Sequence, residues 1–493
     1  VKALAIDLGA GSGRAVVGSI EEGRISVREA HRFPNEPVAV GNRLYWDILR
    51  LYHEVKQGIR LAVRQEDGCI GSIGIDSWAV DFGLISASGE LLGNPYHYRD
   101  AHTADAIAEV LALPGLSEAE VFNRTGIQFL NFNTIYQLHA LVRDGNPALA
   151  KAERLLMIPD LLRYFLTGEM HSEFTNTTTT QLFNPIRGDW DDRLIGAIGI
   201  DRKLFLPPVQ PGTRVGRLRP EVTAELGVPA IPLIAVGEHD TASAVAAVPA
   251  LDEHFAYLSC GTWSLMGTEV RAPVITDEAR AMNFTNEGGV CGTYRLLKNI
   301  MGLWILEECK RRWEKERGDR LDYAEMLAAA EAAPAFRSFI DPDDGRFLHP
   351  PDMPEAIRSY CRERRQPVPE SIGETVRCIL ESLALKYRYV LECTERLTGK
   401  TYKGLHMVGG GLRNELLCRY TAAALGRPVW AGPTEGSALG NLAVQWIATG
   451  AIKDIAEARA MIRASFPVRT YEPADREAWT EAYRKFAALL ALA

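Results

Sequence analysis

The chain has 493 residues, enough for two or three hydrophobic cores, and two large domains are the natural expectation. With 47% apolar and 24% charged residues and a formal net charge of −8, the composition is ordinary for a globular protein and carries no basic surplus. This argues against nucleic acid or an anionic membrane as the main partner. A small anionic ligand would instead be met by backbone amides and helix N-termini.

The opening Val-Lys-Ala-Leu-Ala-Ile-Asp reads as a strand, with no Lys/Arg-flanked apolar stretch to direct export. No window reaches the roughly 18 uninterrupted apolar residues of a spanning helix. The best candidate, residues 228–251, is broken by Glu238, His239 and Asp240. The cysteines show no Cys-x-x-Cys spacing, which disfavours structural zinc. Cys361 and Cys378 flank a proline-containing turn and could pair on oxidation. A cytoplasmic, soluble protein without a resident metal is expected, and monomer or dimer is open.

In chain order, β-type runs at Ala3–Ile6, Ala15–Ile20 and Arg24–Arg28 come first. A helix over Trp46–Arg64 follows, then strands at Ser72–Ile75 and Val80–Ile85. The Thr/Asn-rich stretch Thr175–Gln181 and the proline-rich Leu206–Pro220 punctuate the middle. The apolar run Pro232–Val236 ends at Gly237-Glu238-His239-Asp240. After Leu251 the pattern restarts. Strands at Phe255–Ser259 and Ser264–Val270 are joined by Cys260-Gly-Thr-Trp263, and helical material is expected from about 298 to 335. A long amphipathic helix then runs from about Glu374 to Leu397, followed by a strand at Leu405–Val408. Both halves begin strand, small-residue turn, strand, which points to two related α/β domains, 1–248 and 249–493.

Asp7-Leu-Gly-Ala-Gly-Ser-Gly-Arg14 admits several readings. A dinucleotide fingerprint fails because Arg14 occupies its third glycine position. The loop of S-adenosylmethionine methyltransferases would have to lead into a helix. The β-type run after Gly13 instead favours a hairpin turn offering amides to phosphate. A bare glycine turn is the plain alternative, but Asp7 at the end of an apolar strand is costly without partners, such as a bound cation's water shell. Gly399-Lys400-Thr401 lacks the first glycine of a phosphate loop and reads as a helix C-cap.

Ser259-Cys-Gly-Thr-Trp-Ser264 repeats the hairpin context, and Thr262 could offer a hydroxyl and amide to phosphate. Asp240 follows a buried-looking strand and suits a general base, since a sugar-type hydroxyl is a poor nucleophile at neutral pH. Capping the helix that starts there is an equal alternative. Gly409-Gly-Gly411 would let a flat ring approach the backbone. The small residues of Gly432–Gly440 suit close packing at another helix start.

In this order, together with Asp160-Leu-Leu-Arg-Tyr-Phe-Leu-Thr-Gly168 and Leu206-Pro-Pro, these segments resemble the FGGY carbohydrate kinases of the actin-like ATPase superfamily. The resemblance covers nearly the whole chain. It implies two actin-like (ribonuclease H-like) α/β domains, the first binding sugar and the second nucleotide, with an interdomain active-site cleft. The segments Gly74–Phe82, His239–Ser243, Lys298–Trp304 and Gly432–Asn441 narrow the match to kinases that phosphorylate L-rhamnulose at O1. This resemblance implies ATP at Ala10, Gly11, Ser12, Gly13, Arg14, Thr262, Glu307 and Gly410. It implies the sugar at Ala79, His239, Asp240, Thr241 and Asn299, with Asp240 as proton acceptor. Mg2+ would arrive with ATP and meet Asp7 only indirectly. Glu307 departs from the glutamine common in the family, and a familiar substrate-lobe lysine has no counterpart near Asn133–Gln137. The rivals are a kinase for L-fuculose, xylulose or ribulose, a methyltransferase, and a non-enzymatic actin- or Hsp70-like ATPase.

Overall fold

The apolar N-terminal run becomes the strand Lys2–Leu8 (β1), buried from Ala3 to Leu8 in the middle of a six-stranded sheet. The computed structural model describes residues 1–491. β1 pairs antiparallel with Ser12–Glu21 (β2) and parallel with Ile73–Ser77. The full order is Arg214–Arg217, Pro232–Ile234, Ile73–Ser77, β1, β2 and Arg24–Pro34. Gly9 N–H donates to Ser12 O at 2.9 Å, which closes the glycine turn into the expected hairpin. No helix follows Gly13, and the methyltransferase reading falls with it. The helix expected at Trp46 begins at Ile48. Asp47 caps it by accepting from Arg50 N–H at 3.1 Å, and this leaves Trp46 in the preceding turn with its ring fully buried.

The chain folds into two compact units. The first comprises Val1–Leu251, Glu269–Leu296 and Glu435–Phe466, and the second Asp252–Thr268, Leu297–Thr434 and the residues from Pro467 on. Two segments beyond residue 249 therefore belong to the first unit.

Within the first unit, the helix Gly436–Ala448 lies against the helix Asp240–Ala246 with almost no separation. A Cβ on Gly440 would sit 1.7 Å from Ser243 O. The same helix sends two amides across the sheet. Gln445 Nε2 donates to Leu4 O at 3.0 Å and to Asn441 Oδ1 at 2.7 Å, and Asn441 Nδ2 donates to Asp76 Oδ2 at 2.6 Å. Thr175–Gln181, which the sequence presents as polar punctuation, is instead buried throughout. Three of its hydroxyls return to the chain itself: Thr178, Thr179 and Thr180 each donate to the carbonyl three residues back. Local back-bonding lowers the cost of burying these three, whereas Thr177 Oγ1 and Asn176 Nδ2 are buried without a hydrogen-bond partner.

The second unit repeats the pattern. Ala256–Cys260 pairs antiparallel with Trp263–Val270 and parallel with Leu405–Val408, beyond which lie Val429–Ala431 and Arg469–Tyr471. The helix Ile372–Thr398 opens with a Ser371/Glu374 capping box and closes on left-handed Gly399 (φ 66°), the C-cap the sequence predicts. The start of the 298–335 stretch differs from expectation. Tyr294–Met301 is a strand, and helices occupy only Trp304–Arg317 and Tyr323–Ala332. A strand buried on both faces lacks the alternation that would distinguish it from a helix. Cys361 and Cys378 are free thiols. Among the described residues, no helix is long and apolar enough to cross a membrane.

Gly440→Ala is expected to cost about 3 kcal/mol in urea unfolding, because a methyl group there must displace the Ser243 carbonyl. Gly196→Ala, whose added Cβ meets nothing within 4 Å, should be close to neutral.

Candidate active site

Asp240 owes its position to a tight approach. The strand Pro232–Ile234 runs on into Gly237-Glu238-His239, where Ser77 N–H donates to Glu238 O at 2.9 Å. Asp240 is the first residue of the helix Asp240–Ala246. The capping position falls on His239, with no side-chain cap, so Asp240 is not held there as an N-cap. Its carboxylate accepts from Thr241 Oγ1 at 3.2 Å, and Oδ1 lies 3.5 Å from His239 Nε2. Burial raises the Asp240 carboxyl above its ordinary value; His239 opposes the shift and Asp7 adds to it.

Two more carboxylates stand close by. The parallel register of β1 and Ile73–Ser77 sets Asp7 directly beside Asp76. Asp7 Oδ2 accepts from Arg14 Nε at 3.0 Å and Nη2 at 2.7 Å, and Arg14 Nη1 also pairs with Glu435. The partner that makes Asp7 tolerable at a strand end is thus Arg14 itself. Asp76 is fully buried; Oδ2 is held by Asn441, while Oδ1 has no hydrogen-bond partner. Burial, then the charges of Asp7 and Asp240, push its carboxyl well above the usual range. Among the described residues, no group of three side chains is arranged to hold a metal ion by itself. The uncompensated acid and the orphaned Asp76 oxygen fit a cation that brings most of its ligands with it.

Buried polar braces hold this region. Arg163 Nη2 bonds Asp160 Oδ1 at 2.6 Å, and Nη1 pairs with Glu238. Thr175 Oγ1 donates to Glu173 Oε2 at 2.7 Å and accepts from His239 N–H at 3.1 Å. Ala79 precedes a strained turn in which β-branched Val80 takes φ 65°. Thr134 Oγ1 donates to Val80 O at 2.7 Å. Asp81 anchors the turn by accepting from Trp46 Nε1 (2.6 Å), Trp78 Nε1 (3.0 Å) and Gln137 Nε2 (2.8 Å). Burial nevertheless lifts the Asp81 carboxyl to about 7. The Asn133–Gln137 segment therefore contributes a structural amide, that of Gln137.

On the second unit, Thr262 is exposed at its hairpin tip, and Thr262 O accepts from Gly302 N–H (3.1 Å) and Trp304 N–H (3.2 Å). These bonds fasten the tip to the start of the helix Trp304–Arg317. That helix carries half-buried Glu307, whose carboxyl is raised by burial. In the glycine triplet, Gly409 is left-handed (φ 96°) and an added Cβ on Gly411 would lie 2.4 Å from Cys260 Sγ. Gly410 alone faces open space. Asn299 is half-buried on the strand Tyr294–Met301.

Two family models match consecutive stretches of the chain: the N-terminal domain of the FGGY family of carbohydrate kinases over residues 2–247, and the C-terminal domain of the same family over 256–449. The chain belongs to the FGGY family of carbohydrate kinases. It is 49% identical over 482 residues to a rhamnulokinase of Bacteroides thetaiotaomicron, covering 98% of each chain. It is 43% identical over 493 residues to one of Pectobacterium atrosepticum, covering 99% of this chain and 96% of that one. A ligand-bound xylulose kinase from Lactobacillus acidophilus superposes with a TM-score of 0.82 at 16% identity, covering 99% of this chain and 97% of that one, and shows the fold. As an FGGY kinase the chain is a phosphotransferase acting on a carbohydrate, and the ATPase-machine reading gives way.

Of the residues singled out by sequence, Asp7, Ala10–Arg14, Ala79, His239, Asp240 and Thr241 lie on the first unit, and Thr262, Asn299, Glu307 and Gly410 on the second. Sequence reasoning assigned no role to Asp76, Asp81, Glu287 or Arg295. Asp76 and Asp81 carried the signal that marked Asp7, a carboxylate within an apolar strand segment.

Asp76→Asn tests the electrostatics. A raised folded-state pKa means that ionised Asp76 weakens the fold, and this stability is lost as pH rises through the raised value. The variant should therefore melt higher than the parent at neutral pH. The gap should close as pH falls toward the ordinary carboxylate value of about 3.9, while kinase activity drops. Melting curves across pH read the first effect and ADP release the second.

Proposed function

We propose that this FGGY kinase transfers the γ-phosphoryl group of ATP to O1 of L-rhamnulose, giving L-rhamnulose 1-phosphate and ADP. The observation that carries the reading is Asp240, a carboxylate raised by burial and set beside His239 and Thr241, in a chain 49% identical over nearly its full length to a rhamnulokinase. Rhamnose degradation in the cytoplasm is the setting in which such a product would be consumed.

Asp240 accepts the proton of the O1 hydroxyl as the oxygen attacks phosphorus. A carboxyl lifted by burial is a stronger base than an exposed one, and Thr241 and His239 keep it oriented. Ala79, His239, Thr241 and Asn299 are the proposed sugar contacts, within an N-terminal sugar-binding domain (1–248) and a C-terminal nucleotide-binding domain (249–493). Ala10, Gly11, Ser12, Gly13 and Arg14 meet the nucleotide from the first hairpin turn. Thr262, Glu307 and Gly410 are the other proposed nucleotide contacts. The exposure of Gly11 and Ser12, and the open space over Gly410, support these assignments. Because Arg14 is engaged by Asp7 and Glu435, it serves better as a fixed positive end of the turn than as a free phosphate ligand. Mg2+ bound with the phosphates would neutralise charge on the transferring group, with Asp7 facing its water shell.

ADP release measured over L-rhamnulose, L-fuculose, D-xylulose, L-ribulose and glycerol should show the highest kcat/KM for L-rhamnulose. A clear preference for another ketose would reassign the substrate. Asp240→Asn should fold and bind ATP but lose at least ~100-fold in kcat; near-normal turnover would remove Asp240 from its role. The acid limb of the kcat/KM profile should lie above the ordinary carboxylate range, since the raised group must be ionised to act.

A further inference from the structure

His239 does not stand alone behind Asp240. Its Nδ1 faces the guanidinium of Arg295, with Nη2 at 3.1 Å, and the carboxylate of Glu287, with Oε2 also at 3.1 Å. Arg295 is fully buried, which is rare for an arginine without a task. Its Nε donates to Gly288 O at 2.9 Å, and Nη2 lies 3.2 Å from Glu287 Oε2. Glu287 is itself buried on the strand Thr285–Gly288. The four side chains thus form a line within the first unit, Asp240, His239, Glu287 and Arg295, with the imidazole between an acid at one nitrogen and an ion pair at the other.

A guanidinium has donors only. Of the two groups 3.1 Å from Nδ1, Arg295 is the one whose contact has hydrogen-bond geometry, so Nδ1 accepts from it and the proton of the neutral ring lies on the other nitrogen. We propose that Arg295, held in place and charge-balanced by Glu287, is a positioning residue. It fixes His239 in the tautomer with its proton on Nε2, which presents an N–H to the Asp240 carboxylate and to a sugar oxygen. With Arg295 absent, Nδ1 faces only the Glu287 carboxylate, an acceptor, and the proton moves to Nδ1. Nε2 then becomes a bare lone pair directed at the Asp240 carboxylate. His239 N–H is tied to Thr175 Oγ1, which fixes the main chain that carries the ring. In this arrangement Arg295 sets the hydrogen-bonding sense of His239 without touching substrate.

The inference rests on the reading of His239 and Asp240 as the sugar end of the site, and its test has a readout independent of turnover. In protein with isotope-labelled histidine nitrogens, long-range proton–nitrogen spectra report the tautomer of His239, assigned by comparison with His239→Gln. The parent, Arg295→Lys and Glu287→Gln should all carry the proton on Nε2. Arg295→Met should carry it on Nδ1, with KM for L-rhamnulose raised about tenfold, the scale of one lost hydrogen bond to a charged or polar group, and KM for ATP unchanged. Arg295→Lys should recover most of the sugar KM, which a purely structural role would not require. A proton on Nδ1 in the parent would overturn the proposal, as would Arg295→Met with the parent's spectrum and KM. If Arg295→Met fails to fold, the parent and Arg295→Lys spectra still decide, since a proton on Nδ1 in either refutes it. An enzyme that shows the expected tautomer but phosphorylates no L-rhamnulose loses the substrate assignment and keeps the role of Arg295.

Discussion

The parallel register of the first strand and Ile73–Ser77 is the constraint on which the rest of the site depends. It brings Asp7 and Asp76 side by side at the ends of two buried strands, where like charges repel and water is excluded. Arg14 answers Asp7 from the facing strand of the hairpin, and Asn441 answers Asp76 from a helix that lies far off in sequence. Because Asn441 must reach through to the sheet, its helix has to press against Asp240–Ala246 so closely that Gly440 can carry no side chain. One electrostatic problem in the sheet thereby dictates the packing of two helices.

The same arrangement keeps Asp240 reactive. A carboxylate alone in water is a weak base, and one buried without partners would simply hold its proton. Asp240 lies between these limits: burial and the neighbouring acid raise it, while Thr241 and His239 retain the ionised form. The surrounding region resembles a stock of unfavourable burials, each partly offset. Asp160 and Glu238 share one arginine, Glu173 accepts from Thr175 and Asn176, and the positive φ of Val80 is held by hydrogen bonds to its carbonyl. Backbone and carboxylate strain of this kind persists only where neighbours over-determine it. Here the buried Thr175–Gln181 segment and the Asp81 hub do so.

Much of this was legible in the chain. The two hairpins, the absence of a helix after Gly13, the long helix ending at Gly399 and the strand before the three glycines all follow from local patterns of apolar residues, glycines and caps. Asp7 and Asp240 stood out because a carboxylate next to an apolar run is costly anywhere. The strand Tyr294–Met301 was illegible for a physical reason: buried on both faces, it has no polar alternation. The Thr/Asn stretch misled because most of its hydroxyls satisfy themselves locally, which composition cannot reveal.

By itself, then, the sequence determined the repeated α/β pattern, the glycine turns and the acids worth watching, since each is encoded within a few neighbouring residues. Only the tertiary structure decided which group answers which. Arg14 meets Asp7 from the facing strand, His239 rather than Asp240 takes the capping position, and Arg295 and Glu287 face His239 from more than 45 positions away. Such pairings are set by strand register and helix approach. Those arise from the whole core and leave no trace in local spacing.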